Sequence, residues 1–182
     1  MKSICVYLGA NSGNKPAFKE AVINLGNEIV QRDLKLIYGG SSLGLMGLLA
    51  DTVKEKGGCV AGVIPQYLLA KEQVNKTIDE LHVVDSMCAR KKMMHDLADM
   101  FLVMPGGLGT LEEAFDTLNA LKLGLINKPI GFLNVAGFFN ELFAFITYTV
   151  NSSFVTKSQM QLAKIGADLS LLLEQLTEAG DK

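Results

Sequence analysis

Short apolar runs alternate with amphipathic stretches along almost the whole of this 182-residue chain, and that alternation restricts its fold more than any other feature. Strands are expected at Ser3 to Leu8, Lys35 to Tyr38, Cys59 to Ile64, Leu81 to Val84, Met100 to Met104 and Ile130 to Leu133, with a last one at Gln161 to Ile165. Between them, apolar residues recur at helical spacing in Pro16 to Arg32, Leu45 to Lys56, Ser86 to Ala98, Leu111 to Leu123, Val135 to Thr149 and Leu169 to Ala179, the last capped by Asp168. This order predicts a parallel sheet with helices on both faces, whose strands are continuous apolar runs because neither face meets water. Phe101-Leu102-Val103-Met104 is such a run. The expected fold is therefore α/β, a doubly wound parallel sheet of about six or seven strands in one domain spanning residues 1–182. The least regular stretch, Gln66 to Asp79, contains Glu72 and is expected to lie across the carboxyl edge of the sheet.

Composition closes off several classes of function. With 17 basic and 19 acidic residues the net charge is -2, so no broad basic surface is offered to nucleic acid. Cys5, Cys59 and Cys88 are odd in number, widely spaced and accompanied only by His82 and His95, which reads as reduced cytosolic thiols rather than a disulfide frame or a metal cage. The N-terminus enters a strand pattern without the apolar region of a signal peptide, and Leu142 to Thr156 is too short and too polar to span a membrane. A cytoplasmic protein with no cofactor, no metal and no membrane partner is expected.

In such a sheet, ligands bind outside the carboxyl ends of the strands, near the switch in strand order. Three glycine-bearing turns fall there: Gly9 to Gly13, Gly39 to Gly47, and Gly106 to Gly109. The segment Pro105-Gly106-Gly107-Leu108-Gly109-Thr110-Leu111-Glu112-Glu113 carries the clearest chemistry. It leads from a strand into a helix, its glycines let a ligand approach the backbone, and the first helical N–H groups are free to bind an anion. Thr110 adds a hydroxyl, and Glu113 follows within about one turn.

The first turn, Gly9-Ala10-Asn11-Ser12-Gly13-Asn14-Lys15-Pro16, resembles a P-loop only superficially, because Asn14 and Pro16 stand where the second glycine and the magnesium-binding hydroxyl belong. Neither is it a dinucleotide fingerprint, since the second strand ends in Tyr38 rather than an acidic residue. Ser12 remains a candidate ligand donor beside its reading as a plain turn residue. Gly39, Gly40 and Gly44 are read as close to the ligand rather than as packing alone. Arg90 lies in the first turn of its helix, where the dipole disfavours a cation, so an anionic partner is expected, either a phosphate or Glu113. Glu112 and Glu113 are adjacent and point about 100° apart, so only one can face the site. Glu112 is read as a dipole complement, and Asp116 as a second carboxylate on the face of Glu113. Met87 is chiefly gap-filling, with a wall for a flat base as its other reading; His82 is read as structural and His95 as a surface residue.

The pair Arg90-Lys91-x-x-Met94 and Pro105-Gly106-Gly107-x-Gly109-Thr110-x-x-Glu113 resembles the double signature of the LONELY GUY (LOG) family of cytokinin-activating phosphoribohydrolases. Tyr38-Gly39-Gly40, Gly44-Leu45-Met46-Gly47, Gly62-Val63-Ile64-Pro65, Lys128-Pro129-Ile130-Gly131 and Leu133-Asn134-Val135 extend the likeness over nearly the whole chain. The resemblance implies a Rossmann-like fold, a homodimer with active sites near the subunit interface, and hydrolysis of the N-glycosidic bond of a nucleoside 5'-monophosphate. On the same basis Arg90 and Glu113 match the catalytic pair, while Glu72, Lys91 and Gly107-Leu108-Gly109-Thr110-Leu111-Glu112 match substrate-contacting positions. Gly106 joins them as part of the phosphate turn. The chain departs from the family pattern at Asn119, where a threonine is usual, at Ala136, which replaces an aspartate, and in the wording of its first turn.

The expected function is thus an N-glycosidase acting on AMP or an N6-modified AMP. Its rival is a nucleotide sensor or cofactor carrier that keeps the fold and cradle without turnover. The joint presence of Arg90 and Glu113 favours the enzyme, because holding a phosphate requires no carboxylate.

Overall fold

A computed structural model describes residues 1–69 and 73–180. Seven strands, β1 (Ser3–Tyr7), β2 (Lys35–Tyr38), β3 (Val60–Pro65), β4 (Glu80–Val84), β5 (Met100–Val103), β6 (Ile130–Leu133) and β7 (Ala163–Gly166), form one sheet in the order β4-β3-β2-β1-β5-β6-β7. Every neighbouring pair is parallel. The order runs outward in both directions from β1 and β5, so the crossovers change direction at that central pair, and the crevice above it is where this topology places a ligand.

Side-chain alternation along β1 divides the core in two. Ile4 and Val6 face one layer, packed with Phe18, Val22, Leu25 and Ile29 of α1 (Pro16–Gln31), Leu45 and Leu49 of α2 (Gly44–Glu55), and Leu172, Leu173 and Leu176 of α7 (Leu169–Gly180). Cys5 and Tyr7 face the other, with Met94 of α3 (Met87–Leu97), Ala114 of α4 (Leu108–Lys122) and Phe139. Both layers exclude water from the inner strands, whose sequences are nearly continuous apolar runs, while the edge strands β4 and β7 stay partly exposed. Asp168 caps α7 through its Oδ1, which accepts from Leu171 N at 3.0 Å.

Three elements differ from the sequence expectation. The helix expected at Leu111 begins at Leu108, with Gly107 extended at its N-cap, so Gly109 and Thr110 belong to its first turn rather than to a preceding loop. The helix expected from Val135 to Thr149 is broken: a 3₁₀ turn at Val135–Gly137 contains Ala136 and Gly137 with φ of 49° and 73°, and α5 covers only Asn140–Asn151. Asn134 holds the break, its Oδ1 accepting from Phe139 N at 2.8 Å and its Nδ2 donating to Asn140 Oδ1 at 2.8 Å, a local alternative to helical bonding. A short helix that periodicity did not suggest, α6 (Lys157–Met160), is set by the capping box of Thr156 and Gln159.

None of the α5 side chains is fully buried, although its sequence is largely apolar. Phe145 is 62% exposed there and Leu125, beyond the end of α4, 73%. Among the described residues, no helix is long and apolar enough to cross a membrane.

Candidate active site

A cavity of about 390 Å³ opens at the carboxyl ends of β1 and β5. It is lined by Arg90, Pro105, Gly106, Gly107, Gly109, Thr110 and Glu113, by the turn from Gly9 to Gly13, and by the apolar side chains of Phe18, Leu68, Met87 and Phe138. The turns after β1 and β5 are stitched together by Gly9 N, which donates to Pro105 O at 3.2 Å. Gly106 permits this approach, since a Cβ there would stand 2.1 Å from Thr110 Oγ1 and 2.9 Å from Gly9 N. Gly107 and Gly109 are different, because a Cβ at either would meet nothing within 4 Å. Their missing side chains leave clear space over the start of α4, where the N–H groups of Leu108, Gly109 and Thr110 precede the first intrahelical bond, Leu111 N to Gly107 O at 3.1 Å. An anion seated there meets backbone donors and the positive end of a helix dipole.

Arg90 and Glu113 both line this cavity, at 5% and 9% exposure. Ser86 starts α3 by accepting from Ala89 N at 3.1 Å, which fixes Arg90 in the first turns of the helix. The guanidinium donates from Nη2 to Gly39 O at 3.0 Å and approaches Met87 Sδ with Nη1 at 3.8 Å, while Nε is buried with no partner among the described residues. A buried cation with an unused donor suits a ligand oxygen, because leaving that donor dry is costly.

Beneath the pair lies a polar group on β1 and the two helices. The Tyr7 hydroxyl is 2.9 Å from Thr117 Oγ1, which donates to the carbonyl oxygen of Glu113 at 2.9 Å and lies 2.9 Å from His95 Nε2. Cys5 and Tyr7 are neighbours on this face of β1. Burial, reinforced by the charge of Glu113, pushes the Cys5 thiol well above its ordinary value; burial and then Cys5 do the same to Tyr7, so both stay protonated. His95 is held below its usual value chiefly by burial.

The structure gathers Arg90, Glu113, Gly106, Gly107, Gly109, Thr110, Ser12 and Met87 around one cavity and leaves other sequence candidates outside its lining. Lys91 binds Glu112 and, at 3.1 Å, Asp116, forming a surface cluster on the outer side of α4. Asp116 therefore shares its face with Glu112, not with Glu113; the residue one turn beyond Glu113 is Thr117. Leu108 is exposed, Leu111 packs against the core, and Asn119 is exposed. Gly39, expected near the ligand, instead seats Arg90, since a Cβ there would be 2.1 Å from Nη2. Gly40 packs on Gly62 and Gly44 on the carbonyl of Ala10, so these two serve packing. His95 is buried, not on the surface, because Thr117 gives its ring nitrogen a partner and Phe101 meets its face edge-on with centroids 5.4 Å apart. Glu72 lies outside the described residues. Thr117 and Tyr7 carried no motif; only the one-turn spacing from Glu113 and the alternation with Cys5 marked them.

Comparison with known proteins agrees with this architecture. Residues 46–176 match a family model described as "possible lysine decarboxylase". Over 177 residues, covering 97% of this chain and 82% of the relative, it is 42% identical to the cytokinin riboside 5'-monophosphate phosphoribohydrolase LOG7 of Arabidopsis thaliana. The chain belongs to the LOG family. A probable LOG enzyme of Oryza sativa subsp. japonica is 41% identical over 98% of this chain and 78% of its own, and LOG1 of Arabidopsis thaliana 39% identical over 97% and 83%. Among solved structures, the molybdenum cofactor carrier protein of Chlamydomonas reinhardtii superposes with a TM-score of 0.73 at 23% identity, covering 100% of this chain and 99% of that one. The molybdenum cofactor binding protein of Rippkaea orientalis gives 0.71 at 22% identity over 98% and 97%. At those identities the likeness establishes that the LOG chain and the carriers share a Rossmann-like fold.

Proposed function

We propose that this chain is a nucleoside 5'-monophosphate phosphoribohydrolase, cleaving the N-glycosidic bond of AMP or an N6-modified AMP to free base and ribose 5-phosphate. Relatives about 40% identical over nearly the whole of this chain carry the name of that activity, and the observation that carries the reading here is the joint burial of Arg90 and Glu113 in one cavity at the start of α4. The 5'-phosphate sits over Gly107 and Gly109 against the first N–H groups of the helix. This grip, remote from the reacting carbon, orients the ribose. Arg90, with its unpaired Nε, holds phosphate or ribose oxygens. As the bond to the base breaks, positive charge grows on the ribosyl ring; Glu113 stabilises it and orients or deprotonates the attacking water. The base packs against the apolar side chains of the lining, Phe18, Leu68, Met87 and Phe138.

A homodimer is part of the same proposal, supported by the uncovered apolar surface of α5 and of the chain beyond α4. Three unpaired cysteines accord with a cytoplasmic setting. The deciding experiment incubates the protein with AMP and with isopentenyl-AMP and follows free base and ribose 5-phosphate. Release by the wild type, with Glu113→Gln still binding nucleotide but slowed by about 10³-fold or more, is the expected result. Binding without release from either nucleotide favours the carrier or sensor instead.

A further inference from the structure

One buried hydroxyl ties together the two helices that carry the proposed reacting pair. Arg90 lies near the start of α3 and His95 in its last turn, while Glu113 and Thr117 are one turn apart on α4. Thr117 Oγ1 is 2.9 Å from His95 Nε2, 2.9 Å from the Tyr7 hydroxyl and 2.9 Å from the Glu113 carbonyl oxygen, so α3, β1 and α4 meet at a single atom. A threonine inside a helix commonly bonds back to the carbonyl four residues earlier and needs nothing else. Here it takes two further partners from separate elements.

One arrangement of the protons satisfies all three contacts at once. A hydroxyl has one proton and two lone pairs, and a carbonyl oxygen can only accept. In that arrangement Thr117 gives its proton to the Glu113 carbonyl and accepts from Tyr7 and from His95 Nε2. Around the imidazole, the edge contact with Phe101 limits rotation, and Lys128 Nζ anchors the His95 carbonyl at 2.7 Å. The charges facing His95 are Asp96 and Asp116 on one side of the balance and Lys91 and Lys128 on the other, and burial keeps the ring neutral near neutral pH.

We propose that the Thr117 hydroxyl, gripped by His95 and Tyr7, is a positioning device that fixes Glu113 in the cavity it shares with Arg90. The inference rests on the assignment of those two residues to base release. Its physical basis is that an error on the order of 1 Å in the placement of a reacting group can cost about 10²-fold in rate, while binding contacts elsewhere in the cavity are unaffected. Thr117 and His95 touch no substrate; they act through the helices.

Thr117→Val keeps the shape and removes the hydroxyl, His95→Phe keeps the ring on Phe101 and removes the donor, and Thr117→Ser keeps the hydroxyl. Turnover per folded molecule and KM are measured well below each variant's unfolding temperature. Thr117→Val and His95→Phe should each lower kcat by about 10-fold or more with KM changed less than about 3-fold, the double variant being little worse than the stronger single. Thr117→Ser should stay within about 3-fold of wild type. Lower unfolding temperatures with wild-type kcat would overturn the proposal in favour of a purely structural role. Should Thr117→Val not fold, His95→Phe and Thr117→Ala answer the same question. Glu113→Gln separates the two levels: turnover surviving in that variant sinks the assignment of Glu113, whereas turnover lost there but intact in Thr117→Val and His95→Phe sinks only the positioning role.

Discussion

Arg90 is seated by Gly39: the guanidinium Nη2 donates to the Gly39 carbonyl at 3.0 Å, and a Cβ on Gly39 would come within 2.1 Å of the same nitrogen. The end of β2 therefore determines where a side chain from α3 can stand. Gly39→Ala should lower kcat by about 10²-fold through displacement of the guanidinium. Steady-state kinetics check this, with circular dichroism showing that the sheet persists; unchanged kcat would mean that Arg90 relocates without consequence.

The glycines over α4 fall into two kinds, which predict opposite stability effects. Gly106→Ala drives a Cβ into Thr110 and Gly9 and should lower the unfolding temperature along with activity. Gly109→Ala meets open space in a helical first turn and should stabilise the fold by about 0.5 kcal/mol, while weakening AMP binding because the methyl group occupies the phosphate's approach. Thermal unfolding and calorimetric titration with AMP test both arms. Equal affinity in Gly109→Ala and wild type would remove the phosphate from this turn.

Much of this was legible beforehand, and the misses have local causes. The alternation of seven strands with six helices is a long-range pattern, so it survives errors at element ends. The position of Gly107 at the N-cap was hidden, because Leu108-Gly109-Thr110 has loop-like composition and only the extended backbone of Gly107 marks the boundary. Asn134 broke the helix expected after it through two side-chain bonds that periodicity does not register. Within the site, Arg90 is readable because a cation stands where the helix dipole disfavours it, and Glu113 because it follows the glycine turn within about one helical turn. His95 is buried rather than on the surface because Thr117 on α4 and Phe101 on β5 enclose its ring, contacts that periodicity does not register.

Acidification should destabilise the protein in two stages. The folded state holds His95 below its ordinary 6.5, so the unfolded chain binds the proton more readily and stability is lost as pH falls through 6.5 toward the lower folded value. Asp79 and Glu80 are held down chiefly by their hydrogen bonds to Lys54 and Lys35, so their contribution is present above their ordinary values of 3.8 and 4.5 and disappears only at still lower pH. Unfolding temperature plotted against pH should begin to fall near 6.5, and His95→Phe should flatten that first stage while leaving the second.

In solution the chain should sediment as a dimer. A charge placed at Leu125 or Phe145, both largely exposed in the single chain, should shift it toward monomer with little loss of unfolding temperature. Analytical ultracentrifugation decides this, and a monomeric wild type at micromolar concentration would reject the dimer.

The central pairing of β1 with β5 joins residues about a hundred positions apart, Ile4 opposite Met100, and Ser3 N is tied to Asp99 Oδ2 at 2.7 Å across the same gap. Contacts so distant along the chain close late and slowly during folding. The cavity lies on that seam, so a nascent chain has nothing resembling it until Glu113 has been synthesised and the middle of the sheet has zipped. Recovery of turnover after dilution from denaturant is accordingly a clock for the closing of the sheet, and helix formation alone should leave that clock at zero.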